Sequence, residues 1–235
     1  MTDKSARSQD ALAAMEEPVQ PAGRRRTLDD VRRVGAEIIA KKGYKETSIR
    51  DIAEALGITK STIYHHVQSK EQLLFDIIAN YQVHGRKIIE TARRAGPDPR
   101  ASLRSFIREL VRMTAEEPVM AILLARELRS LNGDYRATVM ATRDEYESFV
   151  RGIILNGQAT GVFRNDVDAR LATISVFAVA NSLFQWYRPG GQLGPTEIST
   201  NFESILLGGL SVAAGDHAEE AKPSALLEPA APSLS

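Results

Sequence analysis

The side chains best suited to chemistry lie between Thr47 and Leu74, in the run TSIRDIAEALGITKSTIYHHVQSKEQLL. Lys60, Ser61, Thr62, Tyr64, His65 and His66 crowd together there, with only Ile63 and Val67 left to anchor them. A helix this short and polar is not stable alone. It must dock through two or three apolar residues and show the rest to a partner. The chemistry on offer is hydrogen bonding and charge rather than bond making. Lys reads guanine edges, Ser and Thr reach bases or phosphates, and Tyr and His hydrogen-bond phosphates. The partner implied is double-stranded DNA.

Other chemistries find little support. His65 and His66 are adjacent, so on a helix they do not face the same way, and no Cys occurs anywhere in the chain. No metal site is expected. The other two His are His84 and His217, so no acid–base pair or nucleophile stands out. No catalytic residue and no enzyme activity are expected.

The elements that must hold the polar run follow from spacing. Ile49, Ile52, Ala53 and Leu56 recur at i, i+3, i+4 and i+7, one apolar stripe on a helix. Thr47 or Ser48 can cap it, and Ser48 with Asp51 has the form of a capping box, although Asp reaches back less well than Glu. Gly57 falls where a left-handed residue ends a helix, and Thr59 caps the next one, expected over Lys60 to about Val67. Ser69 with Gln72 suggests a second capping box, and Lys70 stands within reach of the DNA backbone. Upstream, Leu28 to Lys42 reads as a helix ended by Gly43, with Tyr44 folding back onto the bundle. These features together form a helix-turn-helix, which sets one helix in the major groove. Charge agrees. Arg24 to Lys70 holds eleven Lys/Arg against six Asp/Glu, a net +5 in a chain whose totals balance at 30 each.

The run T-S-I-R-D-I-A-x-x-x-G-I-T-K-S-T-I-Y-H-H-V-x-S-K-E-Q-L-L resembles the DNA-binding domain of TetR-type one-component regulators, over about Arg26 to Tyr81. The resemblance implies an all-α homodimer on a palindromic operator, with a C-terminal domain that dimerises and holds a small-molecule effector. It also implies that Thr59, Lys60, Ser61 and Thr62 face the groove, and that Ser48, Tyr64, His65 and Lys70 contact phosphates.

The fold class expected is all-α, because no alternating strand pattern occurs. Residues 1–23 read as a disordered extension, 24–70 as the helix-turn-helix domain, 71–213 as a helical ligand-binding and dimerisation domain, and 214–235 as a disordered tail. No apolar run is long enough for a membrane span and the N-terminus is not signal-like, so a cytoplasmic protein is expected. Further helices are expected over Lys70 to Ala95, Arg100 to Ala115, Glu117 to Leu131, Tyr135 to Ala159, Asp166 to Trp186 and Pro195 to Ala213. The helix from Leu171 to Trp186 is apolar nearly all round, and the last one carries Gly208-Gly209. Both suit a four-helix interface between two subunits, with Phe177, Leu183, Phe202, Ile205, Leu206 and Gly209 expected in it.

Met120, Arg126, Arg143, Tyr146, Phe149 and Trp186 are the expected ligand-binding residues, since an Arg among apolar rows suits an anionic ligand. Trp186-Tyr187-Arg188-Pro189-Gly190-Gly191 resembles a segment of TetR-type regulators of lipid and steroid catabolism, which implies an acyl-CoA thioester as effector. A neutral hydrophobic compound, or a non-inducible DNA-binding dimer, is the alternative. No cofactor is expected.

Overall fold

The computed structural model describes residues 27–212. The expected N-terminal extension, the Arg24-Arg25-Arg26 run and the expected tail lie outside them. Within the described residues the chain forms nine α-helices: α1 Leu28–Lys42, α2 Ile49–Leu56, α3 Lys60–Tyr64, α4 Lys70–Arg94, α5 Pro99–Glu116, α6 Pro118–Glu127, α7 Gly133–Ala159, α8 Ala169–Trp186 and α9 Pro195–Leu210. A single turn of 3-10 helix, Leu128–Ser130, follows α6. The one extended pairing among the described residues is an isolated bridge between Phe163 and Ser211.

Most helix starts are written in the sequence. Thr27, Ser48, Thr59, Ser69, Asp98 and Asp168 each accept a backbone N–H from the first turn they precede. Pro99, Pro118 and Pro195 stand first in their helices, where the missing N–H is not needed. Some boundaries differ from expectation. The helix expected to start at Asp166 begins at Ala169, because Asp168 is the residue that caps it. The helix expected to run to Leu131 tightens into 3-10 geometry at Leu128.

Two apolar cores hold the helices. The first joins Val31, Ile39, Ile52, Leu56, Ile63 and Val67 of the N-terminal bundle to Leu73, Leu74, Ile77, Ile78 and Tyr81 of α4, and takes in Ile122 and Leu123 of α6. The N-terminal bundle therefore shares one continuous core with the second half of the chain. The other core packs α4, α5, α7, α8 and α9 around Phe106, Leu103, Val150, Ile154 and Phe163. Removing a large side chain such as Phe106 from this core costs roughly 3–5 kcal/mol in proteins of this kind.

One face stays uncovered. On α8 Leu171 is 63% exposed and Ile174 48%, and on α9 Ile205 is 68% exposed. Gly208 and Gly209 on α9 have open space where a side chain would point. Apolar residues of this size normally lie inside, so this face suits a partner surface. Its composition corrects the expected interface. Leu183 is 1% exposed within the subunit's own core, and Phe177 is half-buried edge-on against Phe106, their ring centres 5.8 Å apart. Both therefore serve the interior, because α8 lays that side on α5. Ile205 and Gly209 remain exposed, and Phe202 and Leu206 are half-buried.

Candidate nucleic-acid interface

The polar run is held out by a turn that leaves little freedom. Gly57 adopts φ 65, ψ 34, the left-handed region, while its N–H donates to Glu54 O at 3.1 Å and that of Ile58 to Ala53 O at 3.0 Å. Ile58 drops back towards the core, and Thr59 restarts the chain as α3, its hydroxyl accepting from Thr62 N at 3.3 Å. No atom lies within 4 Å of a Cβ added at Gly57. Gly57→Val therefore tests backbone strain alone, and it is expected to lower stability by about 1–3 kcal/mol in chemical denaturation. An unchanged midpoint would show that the turn tolerates a branched residue.

The α3 helix is shorter than expected, ending at Tyr64 rather than Val67. Beyond it the backbone still bonds back to Ile63, from His66 N at 2.8 Å and Val67 N at 3.1 Å, which brings Val67 into the core. Ile63 and Val67 are buried, while Thr59, Lys60, Ser61, Tyr64, His65 and His66 are exposed and Thr62 half-exposed. The anchors and the displayed side chains thus divide as their spacing leads one to expect. Among the described residues no group of three or more His, Cys, Asp or Glu side chains is placed to hold a metal.

Ser48 is exposed and caps the start of α2. Its N–H and hydroxyl both donate to Asp51 Oδ2 at 2.7 Å, and its hydroxyl accepts from Asp51 N at 3.2 Å. The Asp version of the capping box is complete after all. The Ser48 hydrogen bonds hold the Asp51 carboxyl down to about 2, below the usual carboxylate range, with Lys42 a lesser contributor. A depressed carboxyl stabilises the fold above its ordinary pKa and loses that contribution as pH falls toward about 2.

At α4 the box is one-sided. Ser69 Oγ accepts from Gln72 N at 3.0 Å, but Gln72 Oε1 accepts from Gln68 N at 2.7 Å instead of returning to Ser69.

Lys70 is the main departure. Its ammonium was expected to face the DNA backbone, and instead it donates to Tyr44 O at 2.9 Å and Thr47 O at 2.8 Å, with the Tyr44 ring 4.2 Å away. It ties the α1–α2 turn to the head of α4. Two contacts then join this region to the C-terminal helices. Tyr44 N donates to Glu127 Oε1 at 3.2 Å, and Asn132 N donates to Glu71 Oε1 at 2.7 Å. Burial, with Glu71 and Glu127 nearby, pushes the Tyr44 phenol up from its ordinary value. Sequence reasoning missed Glu71 and Glu127, since contacts between residues 83 and 61 positions apart leave no local signal.

The expected ligand residues do not converge. Arg143 is exposed and pairs with Glu147 at 2.9 Å along its own helix. Tyr146 donates to Gln82 O and fills the place a Cβ at Gly85 would take, so it packs α7 on α4; burial pushes its phenol up to about 12. Phe149 packs tilted on Phe106 with centres 5.9 Å apart, and the Arg93 guanidinium lies 5.3 Å from its ring centre. Trp186 is 43% exposed, bonded to Ser182 and edge-on to Phe202. Arg126 is exposed. Met120 lines a cavity of about 410 Å³ where α1 meets α4 and the α5–α6 corner, bordered also by Arg32, Tyr81, Glu117 and Val119; the other five do not border it. No described helix is long and apolar enough to cross a membrane.

Comparison with known proteins is consistent along the chain. Residues 32–77 match the family described as bacterial regulatory proteins, tetR family, and residues 96–210 match the tetracyclin repressor-like C-terminal domain. The HTH-type transcriptional repressor KstR2 of Mycolicibacterium smegmatis is 28% identical over 208 residues, covering 86% of this chain and 98% of that protein. Among solved structures, the TetR family transcriptional regulator PfmR of Thermus thermophilus is 30% identical with a TM-score of 0.69, covering 77% of this chain and 99% of that one. AibR, solved in complex with isovaleryl coenzyme A and operator DNA, is 25% identical with a TM-score of 0.70, covering 77% and 97%.

Proposed function

Because the chain belongs to the tetR family of bacterial regulatory proteins, as a DNA-binding transcriptional regulator, we propose that it acts as a homodimeric repressor released from a palindromic operator by a small molecule. The observation that carries this reading is the exposed row from Thr59 to His66, mounted on a helix whose apolar residues are wholly committed to the bundle. In it, Lys60, Ser61 and Thr62 enter the groove, while Ser48, Tyr64 and His65 meet phosphates. Dimerisation covers Leu171, Ile174, Ile205 and Gly209 and sets the two recognition helices apart. Two half-sites need them about 34–36 Å apart, one turn of DNA, or a multiple of it.

The effector proposed is an acyl-CoA thioester. Support comes from the complex of AibR with isovaleryl coenzyme A and from the resemblance of the Trp186–Gly191 segment to regulators of lipid and steroid catabolism. Release requires that the effector prefer one spacing of the recognition helices over the other. The Tyr44–Glu127 and Asn132–Glu71 bonds offer a route, since movement of α6 or of the turn before α7 is felt directly by the α1–α2 turn and by α4.

The test starts from DNA selected by the protein out of a random pool. Lys60→Ala is expected to lose about 1–3 kcal/mol on the selected sequence and much less on random DNA, read by fluorescence anisotropy. Equal losses on both would remove Lys60 from sequence reading. Titrating a panel of acyl-CoA thioesters into the protein–DNA complex should lower its affinity. A complex indifferent to every chain length would eliminate the thioester reading and leave DNA binding intact.

A further inference from the structure

Glu203 is the single charged side chain buried among the described residues, and its surroundings are unusual. It lies on α9, and each of its oxygens accepts from a different arginine of α5: Oε1 from Arg104 Nε and Oε2 from Arg108 Nε, both at 2.6 Å. The two arginines are half-exposed, at 42% and 50% of their side chains. Contact through Nε fixes the plane of each guanidinium and leaves the paired Nη groups unused. No other hydrogen bond or ion pair reaches them within the described residues. Arg100 stands one turn earlier on the same helix. Its backbone N–H donates to Asp98 at 3.0 Å, and its guanidinium has no partner among the described residues.

These three arginines fall at i, i+4 and i+8, so they share one strip of α5 about 12 Å long. Arg104 and Arg108 face Glu203, two positive charges against one negative, and Arg100 adds a third positive charge to the same strip. A carboxylate serving only to staple α9 to α5 would need one arginine, and would be best held through the bidentate Nη fork. Here the fork is spared twice, and its donors are presented with their geometry already set. Planar paired donors in that state match phosphate oxygens.

We propose that Arg100, Arg104 and Arg108, oriented by Glu203, form a phosphate-binding site on the C-terminal half of the chain. The same chemistry is offered by the diphosphate of a coenzyme A thioester and by free polyphosphate. The first source rests on the effector reading above; the second does not. Glu203 is a positioning residue, and the arginines carry the contact.

Calorimetric titration of the full chain with inorganic pyrophosphate tests this, with sodium chloride at matched ionic strength as the reference. Saturable binding is expected for the wild type. Arg100→Ala, which removes no hydrogen bond or ion pair among the described residues, should weaken it about tenfold, and the Arg104→Lys, Arg108→Lys double variant should abolish it while keeping the charge. Circular dichroism melts verify that each variant is folded. Glu203→Gln separates positioning from bulk attraction. It adds net positive charge, so attraction alone predicts tighter binding, whereas the site described here predicts weaker binding. Coenzyme A that displaces pyrophosphate identifies the thioester as the source; pyrophosphate binding that coenzyme A leaves untouched identifies free polyphosphate. A wild-type heat no larger than that of sodium chloride, affinity unchanged in the arginine variants, or tighter binding by Glu203→Gln would overturn the proposal. The acyl-CoA titration against the DNA complex reports separately on the effector.

Discussion

Ile205→Asp is expected to turn the proposed dimer into a monomer and to weaken binding to the selected operator by about a thousandfold, close to the level of random DNA. Ile205 is the most exposed of the large apolar side chains on α8 and α9, and Leu171 and Ile174 of α8 are exposed as well. In a two-fold interface the same patch meets itself, so the substitution places two carboxylates near each other where apolar area was to be buried. Each would have to be stripped of water without a partner. The monomer itself should be untouched, because Ile205 contributes to neither core. Analytical ultracentrifugation gives the mass and fluorescence anisotropy the affinity. A variant still dimeric at micromolar concentration, with operator affinity unchanged, would move the interface to another face of the molecule.

Lys70→Ala is expected to lower stability by roughly 2–4 kcal/mol, a value set by the loss of two charge-assisted hydrogen bonds and the stranding of their carbonyl acceptors. Thr47 beside it is 1% exposed, so water does not readily replace the lost donor. The melting temperature should fall by about 4–16 °C for a chain of this size. DNA affinity should fall with it, because the α1–α2 turn and Ser48 lose their tie to α4. The dependence on salt distinguishes the two roles of this lysine. A phosphate contact would flatten the logarithmic salt slope by about 1 when removed. An ammonium committed to Tyr44 O and Thr47 O should leave the slope nearly unchanged. A stable variant with a flattened slope would restore Lys70 to the DNA contacts.

Much of the N-terminal half was legible because its determinants are local. Thr59 and Ser69 cap helices, Gly57 takes the left-handed turn, and Ile52, Leu56 and Ile63 face inward, all from spacing of four residues or fewer. Asp51 completing its box with Ser48 belongs with them. The display of Lys60, Ser61, Tyr64, His65 and His66 followed too, since no apolar residue among them asks to be buried. Their match to a family pattern then supplied the partner.

The C-terminal half yielded helices but not roles. Periodicity says that Phe177, Leu183 and Ile205 lie on apolar sides of their helices; it does not say which neighbour covers each side. Packing put Leu183 inside, left Ile205 outside, and turned Tyr146 from an expected ligand contact into the spacer between α4 and α7. Charges behave likewise. Arg143 and Lys70 look alike in the sequence as free cations, yet one is paired with Glu147 along its own helix and the other is held by carbonyls 23 and 26 residues away. So the sequence alone determined the helices, their caps and the exposed polar row, because those rest on neighbours within one turn. The tertiary structure alone decided that Lys70 is a strut, that Glu203 gathers two arginines, and that α8 and α9 leave a face uncovered. Those outcomes depend on residues brought together from far along the chain, and no local spacing encodes them.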